Sequence, residues 1–273
     1  MTAYISQQCQ LSRTPLSFDK PTVYVYVRPP KTGGTSLSRM LIDSRPDARS
    51  YGMPPSADLH SRAPLGERLR HTRNRVRFLV RQYRTLSSVR AWQYINIHAR
   101  DGDLVIGHLR YDDPVLPRLN LKYFTLLRNP LDRLLSQYNY SRMGFKKRNF
   151  VQRAYIGGPI KAAGKYSFSG YLSYLDDYTN GDASVMAHFV FGSERRADPS
   201  RFLEQSYFHF GVLEQFERFT YELGGKLGVT LKICKKNVTP LREATSLSAK
   251  DRPRFERIFA RDIELYEAML AKL

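Results

Sequence analysis

Apolar positions along the chain follow two rhythms. Dense β-branched and aromatic runs at Val23–Val27, Leu104–Leu109, Leu121–Leu127 and Tyr207–Leu213 predict buried strands. Lys232-Ile233-Cys234 predicts a last short strand, leading into the polar turn 235–240. Between them, apolar residues recur at threes and fours. Leu37, Met40 and Leu41 predict one helix, and Leu131, Leu134, Leu135 and Tyr138 a second, with Pro130 suited to its first turn. Glu214 to Leu227, closed by Gly228, predicts a third. At the end, Phe255, Phe259, Ile263, Tyr266 and Leu270 line one face of a helix, with Asp251 as a cap and Pro253 in the first turn. Strand, basic turn and helix occur in direct succession twice. That order predicts an α/β domain with a central parallel sheet flanked by helices and ligand groups at the carboxyl ends of its strands. Residues 1–21 are a polar lead-in, and residues 22–273 are expected to form one domain, with no repeat or dividing linker.

Two stretches depart from this rhythm. Asp43 to Pro64 is rich in Pro, Ser, Asp and Gly and predicts a loop. Leu65 to about Tyr94 has helical spacing, yet its polar positions are mostly arginine. From Arg62 to Arg100 there are ten arginines, no lysine and one acid, Glu67. Such a bias suits planar, bidentate recognition of carboxylate, sulfate or phosphate, and a solvated helix face is the bland alternative. From Ser141 to Ser206 the pattern weakens. Lys146, Lys147 and Arg148 form a basic knot, and Gly157-Gly158-Pro159 marks a turn. Tyr166, Phe168, Tyr171, Tyr174 and Tyr178 form an aromatic cluster expected to be core, with a sugar or acyl pocket as the alternative.

Charge changes the picture more than composition does. Apolar content of 42% is ordinary, whereas a net charge of +19 over 273 residues implies an anionic partner: nucleotide, nucleic acid, acidic glycan or anionic membrane. Cys9 and Cys234 are the only cysteines, too few for a disulfide framework. The first twenty residues lack the basic start and apolar core of a signal peptide, and no run nears the ~20 apolar residues a membrane span needs. A soluble, cytoplasmic protein is expected. Six histidines and two cysteines show no ligand spacing, so no metal is expected.

The first strand–turn–helix unit is built to hold an anion. Pro29 and Pro30 stop the strand, and Lys31-Thr32-Gly33-Gly34-Thr35-Ser36 follows. The glycines let backbone approach a ligand, the helix start presents N–H groups and partial positive charge, and Lys31 adds a full charge. Thr32, Thr35 and Ser36 add hydroxyl donors. The lysine precedes the glycines, which is not the Gly-x-x-x-x-Gly-Lys-Ser/Thr order of a P-loop kinase or ATPase.

Residues 30–37, Pro-Lys-Thr-Gly-Gly-Thr-Ser-Leu, resemble the 5′-phosphosulfate loop of sulfotransferases that use 3′-phosphoadenosine 5′-phosphosulfate (PAPS). Residues 127–138, Leu-Arg-Asn-Pro-Leu-Asp-Arg-Leu-Leu-Ser-Gln-Tyr, resemble that family's 3′-phosphate segment, in which an Arg and a Ser eight residues apart clasp the phosphate. Arg128 and Ser136 have that spacing. Shorter echoes lie at residues 210–214 and 261–267, and Gly107-His108-Leu109-Arg110-Tyr111 is similar to a Gly-His segment carrying a catalytic base. Within the family the chain looks closest to the carbohydrate branch, the heparan uronosyl 2-O-type enzymes and their bacterial relatives. The resemblance implies a P-loop-like nucleotide-binding sulfotransferase fold, with PAPS as donor, 3′,5′-bisphosphoadenosine as product, and a carbohydrate-type acceptor. Polysaccharide and glycolipid are both open, and a lipid or small-molecule alcohol is the alternative acceptor.

By that resemblance Lys31 meets the bridging oxygen, and Thr32, Gly33, Gly34, Thr35 and Ser36 hold the 5′-phosphate. Arg128 and Ser136 hold the 3′-phosphate, and His108 is the general base, with His60, Glu67, Asp112 and Asp113 in reserve. Asn237, beside Lys235 and Lys236, contacts the nucleotide. The rival from another class is a non-enzymatic nucleic-acid- or heparin-binding protein. It accounts for the charge and leaves both phosphate motifs unexplained.

Overall fold

The computed structural model describes residues 20–53, 88–111, 116–192, 194, 196–233 and 244–273. Five strands form one sheet: β1 (Thr22–Val27), β2 (Ser50–Met53), β3 (Leu104–Gly107), β4 (Asn120–Leu127) and β5 (Tyr207–Val212). Their spatial order is β2-β3-β1-β4-β5, and every pairing is parallel. The expected α/β domain, a central parallel sheet flanked by helices, is therefore what the chain forms.

Helices cover both faces, as an all-parallel sheet requires. The described helices are α1 (Gly34–Ser44), α2 (Ser88–His98), α3 (Pro130–Lys146), α4 (Phe150–Tyr155), α5 (Gly158–Lys165), α6 (Phe168–Tyr178), α7 (Val185–Phe191), α8 (Pro199–Ser206), α9 (Phe216–Leu227), α10 (Arg252–Ile258) and α11 (Ala260–Leu270). Strand alternation divides the core. Val23, Val25 and Val27 point to one face, packing with Trp92, Ile95, Met186, Phe189 and Leu265. Tyr26, on the other face, joins Leu37, Leu41, Phe124, Phe219 and Leu223, and its ring stacks on Phe124 at 5.0 Å. A third cluster, around Leu134, Tyr138, Tyr171, Leu172 and Phe259, ties α3 to α6 and the C-terminal helices.

Several expectations are corrected. The loop expected over 43–64 contains β2, a short edge strand whose Tyr51 is buried and whose register runs Ser50 to Leu104 through Met53 to Gly107. Lys232 and Ile233 form no strand, and Cys234 lies outside the described residues. Of the stretch expected as an arginine-rich helix, residues up to 87 lie outside the described residues, and a helix runs from Ser88 past Tyr94 to His98. The single C-terminal helix is two, broken at Phe259. Asp251 is not its side-chain cap. Ser248 accepts the Asp251 N–H at 3.2 Å, while the Asp251 carboxylate accepts from Ser248 at 2.7 Å and Ser169 at 2.8 Å. In the aromatic cluster Tyr171 is core, but Tyr166 and Tyr178 are exposed.

Candidate functional site

The three central strands, β3, β1 and β4, end side by side, and most of the chemistry expected from the sequence sits just past them. Lys31 to Ser36 follow β1 and enter α1, His108 is the first residue past β3, and Arg128 the first past β4. A doubly wound sheet places its ligand crevice there, where connections depart to opposite sides. Ser136 lies two turns into α3, half-buried. Asn237 lies outside the described residues, as do His60, Glu67, Asp112 and Asp113.

Backbone geometry in the first loop is unusual. Lys31 has φ 71°, a left-handed conformation that a non-glycine residue rarely adopts and that clusters at functional sites. Gly33 has φ 78°, and a Cβ there would stand 2.6 Å from Leu213 Cδ1. Gly34 leaves room for Arg28, whose side chain crosses the space a Cβ would fill. The Arg28 guanidinium donates to Thr35 Oγ1 at 2.9 Å, bracing the start of α1. Thr32 is fully buried, and its hydroxyl donates to the Pro29 carbonyl at 2.9 Å. That hydroxyl closes the turn rather than facing outward. The α1 N-terminus itself has no side-chain cap and no acid in its first turn. Its partial positive charge is left for something else to balance.

Lys31 and Arg128 converge. Burial, and then the positive charge of Arg128, lower the Lys31 ammonium from its ordinary 10.5 to about 8. The ammonium also stands 4.0 Å from the centroid of the Tyr140 ring. Ser136 and Tyr140 are four residues apart on α3 and so share one side of it. Lys31 is thereby held toward the same helix side that carries Ser136.

His108 is half-buried, and its Nδ1 lies 3.1 Å from the Arg28 carbonyl oxygen. A carbonyl only accepts, so Nδ1–H donates in this contact. In the neutral ring Nε2 then holds the lone pair, the tautomer a proton acceptor needs.

The second unit is closed differently. Asn129 Oδ1 accepts from Leu131 N–H at 3.0 Å and Asp132 N–H at 3.2 Å, capping α3. The Asn129 N–H donates to Glu214 Oε1 at 2.9 Å. Burial, followed by the Glu214 carboxylate that it hydrogen-bonds, pushes the Tyr266 phenol up to about 12. Arg133 in the first turn of α3 is buried against Asp262, Nε to Oδ2 3.8 Å, and Asp262 Oδ1 accepts the Ala187 N–H at 2.8 Å. Burial raises the Asp262 carboxyl above its ordinary 3.8, and Arg133 opposes that shift.

Sequence reasoning missed Arg28, Tyr140 and Glu214. Arg28 carries no motif signal, since it matters through its carbonyl and a guanidinium folded over glycine. Tyr140 could have been found from its helical spacing to Ser136. Glu214 reads in sequence as a helix start within a short echo, and its partner, the Asn129 N–H, is 85 residues away. Among the described residues no group of three or more His, Cys, Asp or Glu could hold a metal ion, and no helix is long and apolar enough to cross a membrane.

No family model and no curated protein matches the chain. Among solved structures, mouse sulfotransferase SULT7A1 complexed with PAP is similar at 13% identity and a TM-score of 0.49, covering 92% of this chain and 87% of that one. A sulfotransferase from Alicyclobacillus acidocaldarius is similar at 16% identity and a TM-score of 0.39, covering 92% of this chain and 96% of that one.

Proposed function

We propose that the chain is a sulfotransferase that moves the sulfuryl group of PAPS to a hydroxyl of a carbohydrate-type acceptor. One observation carries the reading. Lys31 and Arg128 follow adjacent strands, near enough for the Arg128 charge to add to burial in lowering the Lys31 ammonium, beside a helix N-terminus with no side-chain cap and no acid in its first turn. A largely buried ammonium with a second cation in electrostatic reach is costly unless an anion lies near both. The sequence motifs around both residues match a donor with phosphate groups at two ends.

In this reading the acceptor oxygen attacks sulfur, and the bond from sulfur to the bridging oxygen of the 5′-phosphate breaks. The acceptor proton passes to His108 Nε2, and 3′,5′-bisphosphoadenosine leaves with the electron pair of the broken bond. Such a loose transfer depends on alignment and on stabilising charge at the leaving oxygen. Lys31 supplies that charge. Thr32 contributes its backbone N–H, with its hydroxyl engaged by Pro29. Gly33, Gly34, Thr35 and Ser36 cradle the 5′-phosphate, Arg128 and Ser136 hold the 3′-phosphate, and Asn237 contacts the nucleotide. Residues 22–273 act as one sulfotransferase domain. The positive surface draws an acidic polysaccharide or glycolipid acceptor.

A transfer screen with radiolabelled PAPS over acidic glycans, neutral glycans and lipid alcohols tests this. Label should move to a glycan with wild-type protein, and His108→Ala should bind donor normally yet fail to transfer. Transfer to lipid alcohols alone would replace the acceptor class. No transfer to any acceptor, with salt-sensitive binding to duplex DNA, would refute the enzyme.

A further inference from the structure

The end of α3 distant from the site carries a helix mounted inside out. At about 100° per residue, Phe150, Val151, Ala154 and Tyr155 of α4 occupy one contiguous side. That side faces outward: Phe150 is 85% exposed, Val151 61% and Tyr155 82%, and no residue of α4 is buried. Of its polar residues Gln152 is exposed, and Arg153, half-buried, turns toward the protein. Arg153 donates from Nε to the Phe145 carbonyl at 3.2 Å and from Nη2 to the Lys146 carbonyl at 2.7 Å, with its guanidinium over the Phe145 ring. Asn149 and Gln152 form a reciprocal capping box that fixes the first turn. These contacts hold α4 with its apolar side presented, where a surface helix ordinarily turns that side inward.

Its surroundings are cationic. Lys146 and Lys147, at the end of α3, are exposed just before it in the chain, and Lys165 at the end of α5 is exposed as well. Between Asp132 and Asp176 the chain has eight basic residues and no acid. We infer that Phe150, Val151 and Tyr155 insert into the surface of an anionic lipid bilayer, with Lys146 and Lys147 against its headgroups. Aromatic side chains prefer the headgroup level, and each nearby lysine strengthens adhesion to anionic lipid about fivefold. Charge argues against a cover from the chain's own segment 54–87, which carries eight arginines and two acids. The inference stands on α4 and the lysines that precede it, whichever reaction the site performs.

Flotation with phosphatidylcholine vesicles, with and without phosphatidylglycerol, tests it in the whole 273-residue chain. Wild type should float with the phosphatidylglycerol vesicles and not with phosphatidylcholine alone. A protein this basic could adhere by charge anywhere, so the deciding variant keeps every charge. F150S/V151S/Y155S should weaken vesicle binding at least about tenfold. Its circular dichroism and melting midpoint should be unchanged, because the three side chains are exposed. K146E/K147E should also weaken binding at least about tenfold, and added salt should weaken wild type. Undiminished flotation of the serine variant would overturn the inference, as would equal binding to neutral vesicles. So would absent flotation together with either a dimer or heparin retention that the serine variant abolishes.

Discussion

The two strand–loop–helix units of the sheet look alike in sequence and are closed in opposite ways. After β1, glycines with room for Leu213 and Arg28 lead into a helix with neither cap nor acid. After β4, Asn129 satisfies the first N–H groups of α3, and Asp132 places an acid in its first turn. The first unit thus has backbone donors and helix charge to offer a ligand. In the second those groups are already used, leaving side chains, Arg128 and Ser136, to do any binding. A basic residue at a strand end therefore does not by itself make a phosphate cradle; the state of the helix start beside it decides which atoms are available.

The largest expected effect is at Lys31. Lys31→Ala should lower turnover about 10²–10³-fold, the loss typical of one preorganised electrostatic contact, in steady-state assays with labelled donor. Asp262→Ala strikes only the second unit. It leaves Arg133 buried without its counter-charge and should cost about 3–5 kcal/mol in denaturant unfolding. If it costs under about 1 kcal/mol, α3 is not anchored through that pair. A paired test sharpens the contrast at the helix starts. Gly33→Ala must hold an L-residue at φ 78° against Leu213 and should weaken donor binding about tenfold by calorimetry. Asn129→Ala should cost about 1 kcal/mol of stability with donor affinity nearly unchanged.

The smallest effect is in pH. Free Lys31 loses its proton near pH 8, and a bound anion stabilises its charged form. Donor affinity should be flat below about 8 and fall as pH rises through it, with proton uptake on binding. Lys31→Ala should remove that dependence.

The sheet was largely legible because its central strands are buried on both sides and therefore appear as unbroken apolar runs. β2 was not: Ser-Tyr-Gly-Met is a four-residue edge strand, too short to show a period. The break at Phe259 was hidden because apolar spacing continues across it, and the Phe255 and Phe259 rings touch at 5.1 Å. At the candidate site, motif spacing singled out residues that follow three neighbouring strand ends. The structure brings Lys31 and Arg128 within electrostatic reach, and places His108 at the next strand end. What spacing could not convey was the use of each atom. The Thr32 hydroxyl, counted as a ligand donor, is committed to Pro29, and the Arg28 carbonyl sets the His108 tautomer. Such assignments depend on φ angles and on contacts between distant segments, as with Glu214 and Asn129.

The division of labour between the two units is tested most directly by one calorimetric comparison. Titrations of 3′,5′-bisphosphoadenosine and adenosine 5′-phosphate into wild type, Lys31→Ala and Arg128→Ala isolate the contribution of the 3′-phosphate. Wild type should prefer the bisphosphate, Lys31→Ala should bind both ligands more weakly while keeping that preference, and Arg128→Ala should lose it. An Arg128→Ala protein that still prefers the bisphosphate as strongly as wild type would contradict the account.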